Sequence, residues 1–196
     1  MVAFVPLSPK YDRAAFTCGN DALDAWLRFH ARQQERTGNT RTTLGVDPET
    51  SRIMSYFALA SHRLDLEDLA DTALGTGRRY GMPAMLLAKL AVHSRDQGTG
   101  LGTATLVEAL RRLNRASRDV GFEAVVVDAI DRTAAEFYLQ HGFSPLTSDV
   151  RRLFLTTRDL HATFAETSDD GPQWTPSPLD KPPLGTYHRR TRREDL

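Results

Sequence analysis

The strongest constraint on this chain lies in residues 84–130, where two apolar runs flank a glycine-rich loop and a long amphipathic segment. Residues 84–92 are almost continuously apolar, the pattern of a strand buried on both faces. Residues 101–120 put Leu106, Leu110, Leu113 and Ala116 on one face at helical spacing, with Gly121 placed to end the helix. Residues 122–130 return as a second buried strand. A strand, a crossover helix and a strand in that order pair in parallel through a right-handed connection. A βαβ unit is therefore expected at the centre of the fold.

The loop between strand and helix reads His93-Ser94-Arg95-Asp96-Gln97-Gly98-Thr99-Gly100-Leu101-Gly102-Thr103. Glycine lets successive backbone N–H groups turn inward and approach a ligand. The helix start adds unpaired donors and a positive dipole, so the context suits an anion such as a diphosphate. A nucleotide P-loop is excluded because no Gly-Lys-Ser/Thr follows. The dinucleotide fingerprint fits poorly, since Thr103 stands where its third glycine is expected. A plain tight β-to-α turn is the competing reading.

Around this unit, Asn20 or Asp21 caps a helix running to about Arg36, with Leu23, Trp26, Leu27 and Ala31 on one face. Residues 40–46 and 52–61 read as a hairpin turning at Asp47-Pro48-Glu49-Thr50. Asp131 caps a short helix over 132–141 that Gly142 ends, and residues from 143 and over 151–156 supply two further strands. Residues 167–196 hold five of the ten prolines and end in Arg189, Arg190, Arg192 and Arg193. The organisation expected is a body over 1–166 and an extended or disordered tail over 167–196.

Composition removes several classes of function. No run approaches the roughly 18 apolar residues of a membrane span, and the N-terminus lacks a signal-peptide pattern, so the expected compartment is the cytoplasm. Cys18 is the single cysteine, too few for a disulfide framework or a thiolate metal site. His30, His62 and His161 are scattered without ligand spacing, so no metal is expected. No paired carboxylates favour a glycosidase. The 25 basic and 25 acidic side chains cancel, but the basic set is 22 Arg and 3 Lys, and arginine offers phosphates a bidentate fork.

The segment Gln97-Gly98-Thr99-Gly100-Leu101-Gly102 resembles the Gln/Arg-x-x-Gly-x-Gly/Ala cofactor motif of the GNAT superfamily of acetyl-CoA-dependent N-acetyltransferases. Residues 131–143, an aromatic-bearing helix ending in Gly142-Phe143, resemble the superfamily's second signature. The likeness narrows to the GNAT toxins of bacterial toxin–antitoxin pairs. It extends over Phe16-x-Cys18-Gly19-Asn20-x-x-Leu23-x-x-Trp26-Leu27, the Tyr56-Phe57 strand, Pro83, and Leu86 to Val92. His93 stands where those toxins commonly carry Asp, and Asp131 where many relatives carry Asn.

The resemblance implies a mixed α/β GNAT fold: a mostly antiparallel central sheet, a parallel βαβ pair splayed around acetyl-CoA, and helices on both faces. It implies that Leu90, Ala91 and Val92 line the pantetheine arm, an amide near Ala91 or Val92 polarising the thioester carbonyl. Arg95, Gln97, Gly98, Thr99, Gly100, Leu101, Gly102 and Thr103 would surround the diphosphate, with Asp131, Ala134 and Phe137 beside the cofactor. Tyr138 would face the thioester sulfur and assist departure of the thiolate. The acceptor implied is the α-amino group of aminoacyl-tRNA, which with a pKa of about 7.7–8.0 is appreciably neutral without a strong base. Arg28, Arg32 and Arg36, four residues apart, and Arg78 and Arg79 in a glycine-flanked loop are the candidate tRNA contacts. Arg111, Arg112, Arg115 and Arg118 form a further stripe, with Glu108 as a local partner. Partners implied are a cognate antitoxin with a ribbon-helix-helix DNA-binding end, and a second copy as a homodimer. Two other functions remain open on the sequence: acetylation of a small amine or protein N-terminus, and non-catalytic sensing of acyl-CoA.

Overall fold

The protein is described by a computed structural model covering residues 1–70, 72, 74–146 and 151–165. The chain divides into a unit Met1–Glu166 and a unit Thr167–Leu196. The proline-rich, arginine-ended segment lies outside the described residues.

The body is built from β1 (Ala3–Pro6), α1 (Asp21–Ala25), a π-helical turn (Trp26–His30), α2 (Ala31–Arg36), β2 (Arg41–Val46), β3 (Ile53–Leu64), α3 (Leu66–Leu69) and β4 (Met82–Val92). A 3-10 turn (Ser94–Asp96), α4 (Leu101–Ala116), β5 (Ala124–Asp128), α5 (Arg132–Gln140), β6 (Ser144–Pro145), β7 (Arg152–Thr156) and α6 (Thr157–Phe164) follow. The strands form one seven-stranded sheet in the order β1-β2-β3-β4-β5-β7-β6. Only the β4–β5 pair is parallel. The mixed α/β architecture is the expected one, with the βαβ unit at its centre.

Helix α4 covers one face of the sheet. Leu106, Ala109, Leu110 and Leu113 join Phe57, Leu87, Val125 and Val127 in the largest apolar cluster, closed by Tyr138 and Phe143 and by Leu160 of α6. The opposite face carries two clusters. Leu23, Leu27 and Ala31 pack on Leu44 and Tyr56, and Leu64, Leu69 and Met82 pack on Ala84, Ala124 and Val126.

Several boundaries differ from those read in the sequence. The 20–36 segment changes its ladder at Trp26, where the Ala31 amide bonds the Trp26 carbonyl five residues back. Just before this point the buried Tyr56 hydroxyl donates to the Leu23 carbonyl at 2.8 Å, competing for a helix acceptor. Helix α4 ends at Ala116 with Ser117 as its cap, and turn hydrogen bonds carry the chain to Val120. Both hairpin strands and β4 have ends that differ from the expected ones, β3 and β4 each running two residues longer, and β5 is shorter than 122–130.

The parallel pairing is brief, and this positions the site. Strands β4 and β5 pair only at Ala84–Ala124, Met85–Val125 and Leu86–Val126, yet β4 continues to Val92. On the other edge of β4, Lys89 opposes Ala58 and Leu87 opposes Leu59, so Ala88 is an extra residue in the ladder. Such a bulge bends its strand and increases twist, which opens β4 away from β5 beyond Leu86.

Candidate active site

The splayed strand leads directly into the glycine-rich loop, and the body holds that loop at several points. The Ser94 amide and hydroxyl both donate to the Thr17 carbonyl. His93 is buried edge-on to Phe16, and its Nδ1 accepts the Arg95 amide. Asp96 receives a two-pronged pair from Arg52, with Nη1–Oδ2 at 2.6 Å and Nη2–Oδ1 at 3.0 Å. Arg52 lowers the Asp96 carboxyl below its usual range through these hydrogen bonds. The Gln97 amide donates to the carbonyls of Cys18 at 2.8 Å and Val92 at 3.0 Å. This motif residue therefore ties the loop to β4 and to the N-terminal segment.

Beyond these anchors the loop is bare. Gly98 and Gly100 have φ of +74° and +83°, left-handed values that favour glycine, and a Cβ at either would meet nothing within 4 Å. Helices α1, α5 and α6 start under side-chain caps from Asn20, Asp131 and Thr156, whereas α4 starts at Gly100 without one. Its first amides are the unpaired donors of a helix end, carrying the positive end of a 16-residue dipole. Open space before uncapped amides fits the diphosphate of acetyl-CoA.

The opening between β4 and β5 forms a cleft of about 220 Å³ lined by Leu90, Asp128, Ile130, Ala134 and Tyr138 among others, with Leu23 and Lys89 at the side of α1. Tyr138 is only 6% exposed and packs edge-on against Phe137 and Phe143. Burial pushes its phenol well above the ordinary tyrosine value, so it holds its proton at neutral pH. No described residue hydrogen-bonds the Tyr138 hydroxyl. On β4, the His93 amide bonds the Met54 carbonyl. Antiparallel alternation then turns the Ala91 amide toward β3 and the Val92 and Leu90 amides toward the opening.

Other sequence candidates sit at a distance from this cleft or are held by local bonds. Asp131 accepts the Ala134 amide at 2.8 Å as the cap of α5. Phe137 packs on His141, whose Nδ1–H donates to the Phe137 carbonyl, leaving Nε2 to accept the Thr103 hydroxyl at 3.1 Å. That bond links the two signature segments. Gly102 lies in ordinary contact distance of Phe137 and Val92. Leu101 is buried against the core, and Arg95 and Thr99 are exposed, the Thr99 hydroxyl bonding the Asp96 carbonyl. Arg78 pairs with Glu123 and bonds the Leu74 carbonyl beside the start of β4, at the end away from the glycine loop, and Arg79 is its exposed neighbour. Arg111 and Arg112 both pair with Glu108.

The chain is 31% identical over 163 residues to the tRNA-acetylating toxin of Mycobacterium tuberculosis, a match spanning 82% of this chain and 95% of that protein. The chain belongs to the GNAT-type tRNA-acetylating toxins. No family model matches it. Among solved structures of GNAT-type toxins, AtaT complexed with acetyl-methionyl-tRNAfMet is 25% identical with a TM-score of 0.75, over 84% of this chain and 99% of that one. AtaTR bound with AcCoA is 25% identical with a TM-score of 0.70, over 83% and 98%.

Within this toxin fold, two contributors to the site and one member of a separate basic cavity carry no local signal in the sequence. Arg52 pins the glycine loop from 44 residues away, a pairing without local signal. Asp128 enters the cleft because β5 stops there, and Arg152 stands 3.2 Å from its carboxylate. Arg13 joins the Arg28–Arg36 stripe only through the fold of the N-terminal segment.

Proposed function

We propose that this chain moves the acetyl group of acetyl-CoA onto the α-amino group of aminoacyl-tRNA, blocking translation as the toxin of a toxin–antitoxin pair. The observation that carries the reading is an unpartnered, buried tyrosine on the wall of a strand-splay cleft, next to an uncapped helix behind a glycine loop. The amides from Gly98 to Thr103 receive the diphosphate. Leu90, Ala91 and Val92 flank the pantetheine arm, with the Val92 amide turned to polarise the thioester carbonyl. Gln97 and Asp96 hold the loop in shape, and Asp131, Ala134 and Phe137 shape the wall that carries Tyr138.

The neutral amine attacks the thioester carbon, the C–N bond forms, the C–S bond breaks, and the thiolate departs. Tyr138 donates a hydrogen bond to that sulfur, and the proton lost by the amine passes to solvent. An oriented donor aimed at developing charge is worth orders of magnitude in rate in a site that excludes water. The names of the relatives support an aminoacyl-tRNA acceptor, and a tRNA acceptor places the activity in the cytoplasm. A cognate antitoxin with a ribbon-helix-helix end and a homodimer belong to the same reading, resting on the family likeness. Arg32 and Arg36 are the best placed of the tRNA candidates, because they line one cavity and neither makes a hydrogen bond or ion pair with a described residue.

The test is transfer of labelled acetyl from acetyl-CoA to total charged tRNA, by the unaltered chain and by Tyr138→Phe. Label on tRNA that vanishes with the phenylalanine variant is expected. Binding of acetyl-CoA without labelling of any charged tRNA would overturn the acceptor and turn the search to small or protein amines. Binding without turnover on any amine would leave an acyl-CoA sensor.

A further inference from the structure

A separate cavity, larger than the cleft, lies on the outer side of α1 and α2. It measures about 600 Å³ and is walled by Arg13, Arg28, Arg32, Arg36, Phe29 and Glu35 together with the segment Leu7–Ser8–Pro9. Four guanidiniums thus face one carboxylate, and Glu35 already accepts the Thr42 amide at 2.9 Å. Arg28 donates to the Ala14 carbonyl and Arg13 to the Leu27 carbonyl, bonds that hold the wall together without neutralising it. Arg32 and Arg36 make no hydrogen bond or ion pair with a described residue. Arg13 is lowered chiefly by burial and then by the positive charge of Arg32, a repulsion that an anion between them would relieve. Phe29 is 65% exposed, an unusual position for a large aromatic, and Arg28 lies over its ring. Phe29 stands two residues past the buried Leu27, on the face of the turn opposite the sheet.

We infer that this cavity holds a single-stranded stretch of the tRNA acceptor, one base stacking on Phe29 while Arg13, Arg32 and Arg36 receive the flanking phosphates. An exposed aromatic ringed by guanidiniums is the arrangement that recognises unpaired nucleotides through stacking and backbone charge together. An acidic peptide would use the charges but would leave the ring with no matching partner. Toward the cleft, Lys89 of its lining stands over the Trp26 ring, and Trp26 opens the π turn that carries Arg28 and Phe29 into the cavity wall. The inference rests on the proposed acetylation of charged tRNA and assigns where the single-stranded end of that tRNA is held.

The test uses the full chain with deacylated bulk tRNA, read by filter binding across a salt series, with acetyl-CoA binding measured on the same samples. Phe29→Ala is expected to weaken tRNA binding about tenfold with the salt dependence unchanged. Arg32→Glu combined with Arg36→Glu is expected to weaken it further and to flatten the log–log salt slope by about 0.7 for each phosphate the variant no longer neutralises. Acetyl-CoA binding stays intact in both, which shows that the variants are folded. Unchanged tRNA affinity in both variants overturns the inference. So does a polyglutamate peptide that binds the unaltered chain more tightly than tRNA and fails to bind after the charge reversal, which would give the cavity to an acidic protein segment. A change of sedimentation mass with Phe29→Ala would overturn it in favour of an interface between copies. Wild-type tRNA binding through this cavity without acetylation of charged tRNA would defeat the proposed function and leave the cavity assignment standing.

Discussion

At the scale of single residues, Tyr138 separates stability from chemistry. Its hydroxyl has no described partner, so Tyr138→Phe removes no hydrogen bond of the fold and should leave the melting temperature and acetyl-CoA affinity unchanged. Turnover should fall by on the order of 10²-fold, as for loss of a positioned proton donor, checked by kcat under saturating acetyl-CoA. Asp96 has the opposite profile. It touches no reacting group but pins the glycine loop through Arg52, and Asp96→Asn should cost about 1–2 kcal/mol after allowing for the third of Arg52 that is open to water. The folded carboxyl titrates below the unfolded one, so the pair stabilises fully above the unfolded value of about 3.9 and its contribution disappears as pH falls through the folded value. Thermal melts against pH should show the gap between the two proteins closing in acid. A gap that stays constant down to the acid limit would mean that the charge is not what holds the loop.

At the scale of elements, the glycine loop works through backbone conformation. Gly100→Ala puts a Cβ into empty space but onto a φ of +83°, so the penalty is strain of about 1–2 kcal/mol without a clash. Relaxing that strain moves the first amides of α4, and acetyl-CoA binding should weaken more than the urea midpoint falls; titration calorimetry beside urea unfolding checks this. The competing reading of the loop as a plain turn predicts the stability loss alone. The π turn in the first helix shows what a sequence pattern misses. Leu23, Leu27 and Ala31 keep a four-residue spacing that reads as ordinary helix. The ladder changes because Tyr56, on a strand 33 residues away, donates to the Leu23 carbonyl and stacks on Trp26.

At the scale of the whole molecule, the described core is assembled within residues 1–165, with three apolar clusters on the two faces of one sheet. A chain ending at residue 165 should therefore keep the melting temperature and acetyl-CoA affinity of the full chain, measured by calorimetry on both. A lower melting temperature for the shorter chain would show that residues 166–196 contribute to the body. What the sequence determined by itself was whatever depends on near neighbours: the βαβ order, the glycines able to take positive φ, the capping residues Asn20 and Asp131, and the aromatic helix carrying Tyr138. Local patterns encode these because helix periodicity, caps and turns involve residues a few positions apart. Only the tertiary structure decided the rest. The bulge at Ala88 that opens the cleft, the burial that raises the Tyr138 phenol, the arrival of Asp128 in the cleft, and the pairing of Arg78 with Glu123 all depend on which strands become neighbours. So does the assembly of Arg13, Phe29, Arg32 and Arg36 around one cavity, where charge and exposure are properties of an enclosed surface that no stretch of chain possesses alone.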